Sequence, residues 1–466
     1  MNTKEYNVLD LIHMQLEIRN NRYNLPTDLI YSIGARINKK RRYLFVSKVL
    51  GKHIPVRNAN SLLTGALLAY KFLEDYYSQY NDIVNKIAAS LINSKDGKSI
   101  WREIAANPIH LDNKILFLAF AETATSLGHS IFNCFENSCF IHTTRENIPC
   151  FKNPILFEEE HSHATSHRIY PLNYETLKLD SPIVLIDDEI STGKTVLNII
   201  KELDKIHKRK EYVVLSILDF RSKADIEYAR QFEKEYSLKV NFISLISGEF
   251  TTSPTKKLQN WGCVDKFLES NITDDSLASS RKPSDTPPEI RFFSLGNYFN
   301  DFISAPSFND AGEENPIPYL KASGRFGIDS EEWKRLSCNI LQVSKFIEDK
   351  ITGTRILFLG TEEFMHIPLY ISCFIDKDIY YHSTTRSPIF PSPSPDYPVN
   401  NRFVFSCPPN PVITNFVYNI PYGFYDEVYV FFERGFKKTG LTDLLEVVSR
   451  LGVKKATILS CSGHFV

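Results

Sequence analysis

The chain has 466 residues, and its 54 Lys and Arg residues balance 55 Asp and Glu residues, which leaves a formal net charge of −1. A chain this close to neutral has no overall attraction for nucleic acid, which argues against a nucleic-acid partner. No apolar run approaches the ~20 residues that span a bilayer, so no membrane partner is expected. Because the start of the chain is polar and its eight cysteines are scattered, a cytoplasmic location is expected. The length predicts two or three domains.

The first chemical signal along the chain is a basic cluster, Arg36 to Arg42, which precedes a strand-like segment, Tyr43 to Val46. The loop that follows, Ser47 to Pro55, contains two lysines, a glycine and a histidine. This composition indicates either an anion-handling element that covers an acceptor pocket, with Lys48 as its cation, or simply a basic solvated loop.

The next signal is a buried strand, Lys114 to Ala119, followed by a loop of small and hydroxylated residues, Phe120 to His129. Small residues at a strand-to-helix turn let backbone amides approach an anion. A capped helix start with Glu122 in its first turn would explain most of the same residues.

A second strand, Ser138 to His142, ends in Thr143-Thr144-Arg145. The carboxyl end of a parallel strand is where ligands bind in open α/β sheets, so Arg145 is either a phosphate contact or one half of a surface ion pair with Glu146. The polar segment from Phe157 to Arg168 then shows no helical or strand period. It carries three histidines and an arginine that could contact an anion or move a proton, and it could equally be a solvated loop or an adventitious metal site: His161, His163, His167 and Arg168.

The most informative segment runs from Ile183 to Thr195. Four apolar residues that suit a buried parallel strand are followed by Asp187 and Asp188, by a Ser/Thr/Gly turn and by a helical pattern. Backbone N–H groups at a helix N-terminus bind phosphate, and paired carboxylates accept hydrogen bonds from sugar hydroxyls. A Walker A loop would need a glycine where Asp188 stands. The pattern therefore predicts a ribose 5-phosphate pocket.

This signature resembles the phosphoribosyl pyrophosphate (PRPP) motif of type I phosphoribosyltransferases. The resemblance implies a Rossmann-like parallel α/β sheet, a requirement for Mg²⁺ and a nucleobase-like acceptor. It implies that Ser191, Thr192, Gly193, Lys194 and Thr195 bind the 5-phosphate. It further implies that Glu122, Thr123, Ala124, Thr125 and Arg145 bind pyrophosphate, and that the histidine-rich segment is a mobile loop that closes over PRPP. Asp187 and Asp188 would bind the ribose and contact the metal indirectly, through PRPP and water.

The C-terminal half carries an internal repeat. An offset of 241 places Ile115-Leu-Phe-Leu118 on Ile356-Leu-Phe-Leu359 and Thr143-Thr-Arg145 on Thr384-Thr-Arg386. An offset of 244 places Asp187 and Asp188 on Phe431 and Phe432, whose bulk is expected to fill the ribose volume. We expect a degenerate second α/β unit of similar topology that does not bind PRPP in the same manner. It is either a packing partner or a second site with Glu363, Arg386 and Ser387 at its strand ends.

Three further runs resemble a bacterial group of phosphoribosyltransferase-like proteins found in tellurium-resistance and stress operons. These runs are the segment from Lys40 to Pro55, the loop from Ala121 to His129 and the signature that contains Asp187 and Asp188. In that group a C-terminal module named for a Thr-Arg-Ser-Pro motif (TRSP) follows the transferase domain, and Thr385-Arg386-Ser387-Pro388 stands here. The predicted organisation is a phosphoribosyltransferase domain at 1–273, a Ser-, Asp- and Pro-rich linker at 274–318, and a TRSP domain at 319–466.

The predicted activity is Mg²⁺-dependent transfer of ribose 5-phosphate from PRPP to a nucleobase-like acceptor, with release of pyrophosphate. Asp187, Asp188, Arg145 and Lys48 are the predicted catalytic residues, and the chain could act as a homodimer. Two alternatives stay open: a PRPP- or nucleotide-binding regulator without turnover, and an RNA-associated module that uses the basic patch at Arg36 to Arg42.

Overall fold

Two parallel β-sheets flanked by helices organise the chain in the computed structural model, which describes residues 2–36, 38, 41–157, 167–255, 260–270 and 287–466. Residues 158–166, with His161 and His163, and the linker residues 274–286 lie outside the described residues. The strands are β1 Asn2–Val8, β2 Ile12–Asn20, β3 Tyr31–Ala35, β4 Tyr43–Ser47, β5 Val56–Arg57, β6 Ile109–Ala119, β7 Phe135–His142, β8 Ile155–Phe157, β9 His167–Ile169, β10 Ile183–Ile190, β11 Glu211–Asp219, β12 Lys239–Pro254, β13 Glu289–Ser294, β14 Phe302–Ile303, β15 Ser307–Phe308, β16 Glu314–Asn315, β17 Tyr319–Leu320, β18 Ile328–Asp329, β19 Arg355–Gly360, β20 Asp378–Ser383, β21 Arg402–Cys407, β22 Asn410–Tyr418, β23 Glu427–Arg434 and β24 Lys455–Ser462. The helices are α1 Thr27–Ile30, α2 Asn58–Tyr77, α3 Ile83–Asn93, α4 Gly97–Ala106, α5 Ala124–Phe132, α6 Lys194–Ile206, α7 Lys223–Tyr236, α8 Trp261–Ser270, α9 Ser330–Glu348, α10 His366–Cys373 and α11 Thr442–Arg450.

The first sheet has the order β1-β2-β12-β11-β10-β6-β7-β18. Its five middle strands, from β12 to β7, run parallel. At the edges β2 and β18 pair antiparallel to them, and β1 pairs antiparallel to β2. The apolar run Ile183 to Ile186 forms the buried half of β10, as a strand covered by helices on both faces requires. The predicted parallel α/β domain is confirmed.

The second sheet has the order β13-β24-β23-β19-β20-β5. Its four strands β24, β23, β19 and β20 follow the same order and direction as β11, β10, β6 and β7 of the first sheet. In each unit a two-stranded hairpin comes next along the chain after the strand at this end of the row. The hairpin β8-β9 follows β7 in the first unit, and β21-β22 follows β20 in the second. The second unit therefore repeats the α/β topology of the first, as the sequence predicts.

Strand pairing corrects one offset of the predicted repeat. Leu116 pairs with Ile183 in the first sheet, whereas Leu357 pairs with Val428 in the second. The offset between β10 and β23 is therefore 245 rather than 244, and a one-residue slip moves each side chain to the opposite face of a strand. Phe432 takes the place of Asp187, and Glu433 rather than Phe432 takes the place of Asp188. Sequence matching missed this because the two strands are similarly apolar in either register.

Two short strands are exchanged between the units. β5, which precedes the first unit's long helix α2, pairs with β20 of the second sheet. β18, which precedes the second unit's long helix α9, pairs with β7 of the first sheet. β13 lies inside the range predicted as a linker, yet it forms an edge strand of the second sheet. The predicted boundaries therefore differ from the structure, because short pairing segments are too brief to show a strand period.

The two units share one large apolar core, which includes residues of both sheets and of α2, α5, α9 and α10. The surfaces of α5 and α10 meet, and His129 stacks on His366 with ring centroids 3.9 Å apart. All eight cysteines are free thiols. In the described part of the chain, no helix combines the length and the apolar character needed to cross a membrane.

Candidate active site at the carboxyl edge of the first sheet

The predicted ribose and phosphate residues lie where β10 gives way to α6. The carboxylates of Asp187 and Asp188 are half-buried, and the Asp188 backbone N–H donates to Asp187 Oδ1 at 2.9 Å. Gly193 adopts φ = 81° immediately before α6, a conformation that an L-residue disfavours. This turn leaves Ser191 and Thr195 at the N-terminus of a 13-residue helix, whose first N–H groups have no partner within the helix.

The loop after β6 supplies a second set of polar groups. Ala121 and Glu122 are joined by a cis peptide bond, and the Ala121 N–H donates to Thr143 Oγ1 at 2.8 Å. Of the four predicted pyrophosphate residues on this loop, Glu122 and Thr123 reach the cavity at this edge. The other two do not, because Ala124 is buried and the Thr125 hydroxyl donates to the backbone oxygens of Glu122 and Glu363.

The lysine at this site is Lys52 rather than the predicted Lys48. Lys52 Nζ donates to Thr123 Oγ1 at 2.5 Å and lies 3.5 Å from Glu122 Oε2. Lys48 Nζ instead donates to the Asp28 backbone oxygen at 2.9 Å and lines a separate hollow beside β1. Gly51, at φ = 76°, turns the chain between the two lysines so that they face different cavities.

The two lysines should therefore respond differently to the same substitution. If the cavity binds PRPP as the sequence predicts, Lys52→Met removes a cation from the site and should lower kcat/KM for PRPP about ten- to a hundredfold, because it removes one hydrogen bond to a charged group. Lys48→Met is the matched control and should stay within about twofold of the parent protein. Steady-state pyrophosphate release measures both, and equal losses in the two variants would contradict the assignment.

Arg145 is held at the cavity by a residue of the second unit. Its backbone N–H donates to Glu363 Oε1 at 2.8 Å, and the neighbouring Thr144 Oγ1 donates to Glu363 Oε2 at 2.6 Å. The Arg145 guanidinium lies 3.8 Å from Glu122 Oε2. Glu363, predicted as part of a second-unit site, thus positions the arginine of the first site.

The two described residues of the predicted mobile loop lie outside the first cavity. His167 is fully buried in β9, where its Nδ1 lies 2.9 Å from Thr143 Oγ1. Arg168 donates from Nη1 to the Arg145 backbone oxygen at 2.9 Å. His167 and Arg168 instead hold β9 against Thr143 and Arg145. The sequence could not separate β9 from the segment before it, because this strand has only three residues.

These groups surround a cavity of about 460 Å³. The second unit reaches it directly, since Arg386 and Ser387 of the Thr-Arg-Ser-Pro motif line the same space. The sequence analysis placed these two residues in a separate site of the second unit. They line the first cavity instead, where the two units meet and exchange short strands. The segment predicted as either an anion-handling element or a basic loop also lines this cavity, through Arg36, Arg41, Leu44, Phe45, Ser47, Lys52 and His53. The other lining residues that were not predicted as site residues are Ala121, Glu189, Asp310 and Ile413.

The two units complete each other through reciprocal hydrogen bonds. Thr385 Oγ1 of the second unit donates to Glu122 Oε2 at 3.2 Å. Thr144 Oγ1 of the first unit donates to Glu363 Oε2. Glu122 matches Glu363, and Thr144 matches Thr385, at the repeat offset of 241. The interface therefore has an approximate two-fold relation, in which each unit holds a carboxylate of the other.

Burial and neighbouring charges together shift the pKa of three groups near this interface. Burial alone would raise the pKa of Glu363, but Arg325 and then His142 hold that pKa at about 2. Desolvation lowers the pKa of His53 well below its ordinary value, and Lys52 adds to this, so the imidazole is neutral. Desolvation raises the pKa of Glu189 although its partner Arg41 opposes the shift.

The depressed pKa of Glu363 predicts a stability change in acid. A carboxyl whose pKa is lower in the folded state stabilises the protein above its unfolded pKa of about 4.5 and loses that contribution as the pH falls towards 2. In urea titrations between pH 5 and 3, the parent protein should therefore lose more unfolding free energy than Glu363→Gln. Parallel losses in the two proteins would contradict the role of this carboxylate.

A second cavity, of about 280 Å³, lies at the carboxyl ends of β19, β20 and β23. It shares Arg145, Arg386, Asp310 and Ile413 with the first cavity. Phe364 and Phe432 line it but leave it open, contrary to the expectation that the second unit's phenylalanines fill the ribose volume. The cause is the register, which turns Phe431 into the core, where it packs on Phe358.

Oxygen donors for a hard cation are present in the first cavity but do not form a complete protein site. No group of three or more His, Cys, Asp or Glu side chains in the described ranges could hold a metal ion by itself. Asp187, Asp188 and Glu122 offer carboxylate oxygens, and Glu122 Oε1 is buried without a hydrogen-bond partner in the described protein. Such donors fit Mg²⁺ that is also held by oxygens of a ligand and by water.

Comparison with known families identifies the two units. A model described as phosphoribosyl transferase matches residues 30–249. A model described as the TRSP domain, C-terminal to that transferase, matches residues 322–448. The chain is therefore similar to a phosphoribosyltransferase domain over residues 30–249 and to a TRSP domain over residues 322–448. Comparison with curated proteins found no match.

Solved adenine phosphoribosyltransferases are similar to part of this two-domain chain. The Trypanosoma brucei enzyme, solved with AMP, pyrophosphate and ribose 5-phosphate, aligns at 18% identity over 34% of this chain and 68% of its own, with a TM-score of 0.23. The Leishmania tarentolae enzyme aligns at 20% identity over 34% and 74%, with a TM-score of 0.22. The Saccharomyces cerevisiae enzyme aligns at 10% identity over 40% and 80%, with a TM-score of 0.23.

Proposed function

We propose that the protein transfers ribose 5-phosphate from PRPP to a nucleobase-like acceptor and releases pyrophosphate. The observation that carries this proposal is the meeting, in one cavity, of the Asp187–Asp188 pair, the N-terminus of α6 and the Glu122 loop. A ribose diol, a 5-phosphate and a pyrophosphate are the three groups that such an arrangement accommodates.

The chain's own residues would act by positioning and by neutralising charge. Asp187 and Asp188 accept hydrogen bonds from the ribose hydroxyls, and Ser191 to Thr195 hold the 5-phosphate. Arg145 and Lys52 face the pyrophosphate, whose negative charge grows as the anomeric carbon becomes oxocarbenium-like. Mg²⁺, where bound, would supply further charge neutralisation at pyrophosphate oxygens, with Asp187 and Asp188 reaching it through water. Fixed dipoles and charges at this edge lower the barrier because they need no reorganisation.

The second unit would contribute a third cation. Arg386 lines the first cavity and is oriented by Glu362, to which its Nη2 donates at 3.0 Å. Because this pair holds the guanidinium in place, Arg386 would add to the leaving-group charge neutralisation across the unit boundary. A product of nucleoside type, used in a stress pathway as the resemblance implies, and a homodimer both remain part of the proposal.

Arg386→Met should lower kcat/KM for PRPP about tenfold, because one cation leaves the pyrophosphate subsite. Arg355→Met is the matched control, since Arg355 begins β19 at the opposite edge of the same sheet and is exposed. Arg386→Lys should recover part of the loss. Equal rates in the Arg386 and Arg355 variants would contradict a contribution from the second unit.

Pyrophosphate release from PRPP in the presence of Mg²⁺ and a panel of purine and pyrimidine bases tests the proposed function. The expected result is release that depends on one class of base, together with a nucleotide product detected by mass spectrometry. PRPP binding without release for any base would instead indicate a PRPP-binding regulator. Absence of both binding and release would overturn the transferase assignment.

A further inference from the structure

The second cavity differs chemically from the first, although the two occupy equivalent places in the repeat. Where the first unit has Asp187, the second has Phe432, and where the first has Thr123, the second has Phe364. Glu433 keeps the position of Asp188, but Arg325 Nη2 donates to its Oε2 at 2.9 Å. The carboxylate pair that suits a ribose diol is therefore lost from the second unit.

The charged groups around the second cavity neutralise one another. Arg325 is 3% exposed and lies between Glu363 and Glu433. Arg434 lies 3.4 Å from Glu146 Oε2. A phosphate or pyrophosphate could gain the Arg325 guanidinium only by displacing the buried carboxylates of Glu363 and Glu433, which is costly. The cavity therefore disfavours a polyanion.

The remaining lining groups suit a flat, uncharged ligand with a polar edge. Four phenylalanines line the cavity, and aromatic rings stack on planar heterocycles. Side-chain amides are also present, among them that of the exposed Asn147. Amides both donate and accept, as the edge of a nucleobase does. The four rings belong to Phe308, Phe364, Phe432 and Phe436.

The position of the second cavity sets it apart from an acceptor pocket. The two cavities meet at Arg145 and Arg386, which are the residues proposed to face pyrophosphate. In an inverting displacement the acceptor approaches the anomeric carbon from the face opposite the leaving group. A ligand beside the pyrophosphate residues is therefore on the wrong side to be the acceptor.

We propose that the second cavity is an effector site that binds an uncharged planar nitrogen heterocycle, a free nucleobase or a nucleoside. The ligand stacks against Phe308 and the neighbouring rings, and its polar edge faces the amides of the cavity wall. Its occupancy alters the first site because Arg145 and Arg386 belong to both walls and because Glu363 holds the Arg145 backbone. This coupling rests on the proposed transferase function, whereas the binding itself does not.

Calorimetric titration of the full chain, without PRPP, tests the binding. The probes are adenine, guanine, hypoxanthine, uracil, adenosine, guanosine, uridine and AMP. Phe308→Ala removes a ring that is 46% exposed and should weaken binding at least about fivefold. Tyr228→Ala, which removes a similarly exposed ring from α7, is the matched control and should leave affinity unchanged. Ser191→Trp, which fills the first cavity, should also leave affinity unchanged.

We expect one uncharged base or nucleoside to bind more tightly than AMP. The same ligand should raise or lower the KM for PRPP in the parent protein but not in Phe308→Ala. Photolabelling with 8-azidoadenosine should mark peptides from 305–315 or 407–413. No binding of any probe at millimolar concentration would overturn the proposal. The proposal would also be overturned if Ser191→Trp abolished binding or if Phe308→Ala left binding intact. Photolabelling confined to residues 41–53 would contradict it as well, because that segment lines the first cavity. Pyrophosphate release without effector should persist in Phe308→Ala, so failure of this proposal is distinguishable from failure of the transferase assignment.

Discussion

The double substitution Asp187→Asn/Asp188→Asn is expected to lower kcat/KM for PRPP by roughly 10²- to 10⁴-fold. Each carboxylate would accept a hydrogen bond from a ribose hydroxyl, and a hydrogen bond to a charged group contributes about 1.5–3 kcal/mol, with tenfold for each ~1.4 kcal/mol. The amides keep the shape of the side chains but lose their charge. Pyrophosphate release under subsaturating PRPP measures the effect.

The matched control for this pair is Asp82→Asn/Asp112→Asn, which removes the same charge from two exposed positions outside the cavity. The control should keep the parent rate, which separates a local effect from a general change in net charge. Thermal unfolding of both variants should match the parent protein, because Asp187 and Asp188 are half-buried at a strand end and not part of the apolar core. Equal activity in the two double variants would contradict the assignment of the ribose site.

Arg325→Met is expected to lower the free energy of unfolding by about 3–5 kcal/mol, the typical result of removing one partner from a buried ion pair. The Arg325 guanidinium is 3% exposed and contacts Glu363 at 2.6 Å and Glu433 at 2.9 Å. Without it, two buried carboxylates of the second unit, Glu363 and Glu433, lose their counter-charge. Urea denaturation monitored by tryptophan fluorescence measures the loss.

Two further variants make this stability test specific. Arg335→Met breaks an exposed pair with Asp301 and should cost at most about 1 kcal/mol. Arg325→Met combined with Glu363→Gln and Glu433→Gln should recover part of the loss, because the neutral amides no longer need a counter-charge. A loss below about 1 kcal/mol in Arg325→Met would contradict a structural role for this cluster.

The ion cluster and the candidate active site are physically linked. Glu363 accepts from Arg325, from the Thr144 hydroxyl and from the Arg145 N–H. The same carboxylate therefore ties the second unit's core to the position of the cation at the first cavity. We expect Arg325→Met to lower transferase activity as well as stability, and more so than a variant that is equally destabilised elsewhere.

Sequence reasoning succeeded where the signal is local. The strand Ile183 to Ile186, the two aspartates and the turn before α6 follow one another in the chain, so their proximity is fixed by covalent connection. The parallel sheet and its repeat could likewise be predicted, because buried strands leave continuous apolar runs. The polar residues that follow the end of one strand can therefore be predicted from the sequence.

Sequence reasoning failed where the outcome depends on tertiary structure. Lys48 and Lys52 are four residues apart, and only the turn at Gly51 decides which one faces the cavity. The offset between β10 and β23 depends on backbone pairing, which apolar side chains do not specify. The contact of Thr385 with Glu122 joins two units that exchange strands of two residues each, and such short strands carry no periodic signal.

Calorimetric titration of the full chain with PRPP, with and without Mg²⁺, shows whether the first unit alone binds PRPP. We expect Mg²⁺-dependent binding at one site per chain, because the first unit keeps both proposed ribose carboxylates and the second unit has Phe432 and an ion-paired Glu433 in their place. Binding of two PRPP molecules per chain would contradict the difference drawn between the units. Absence of binding at millimolar PRPP in the presence of Mg²⁺ would contradict the transferase assignment itself.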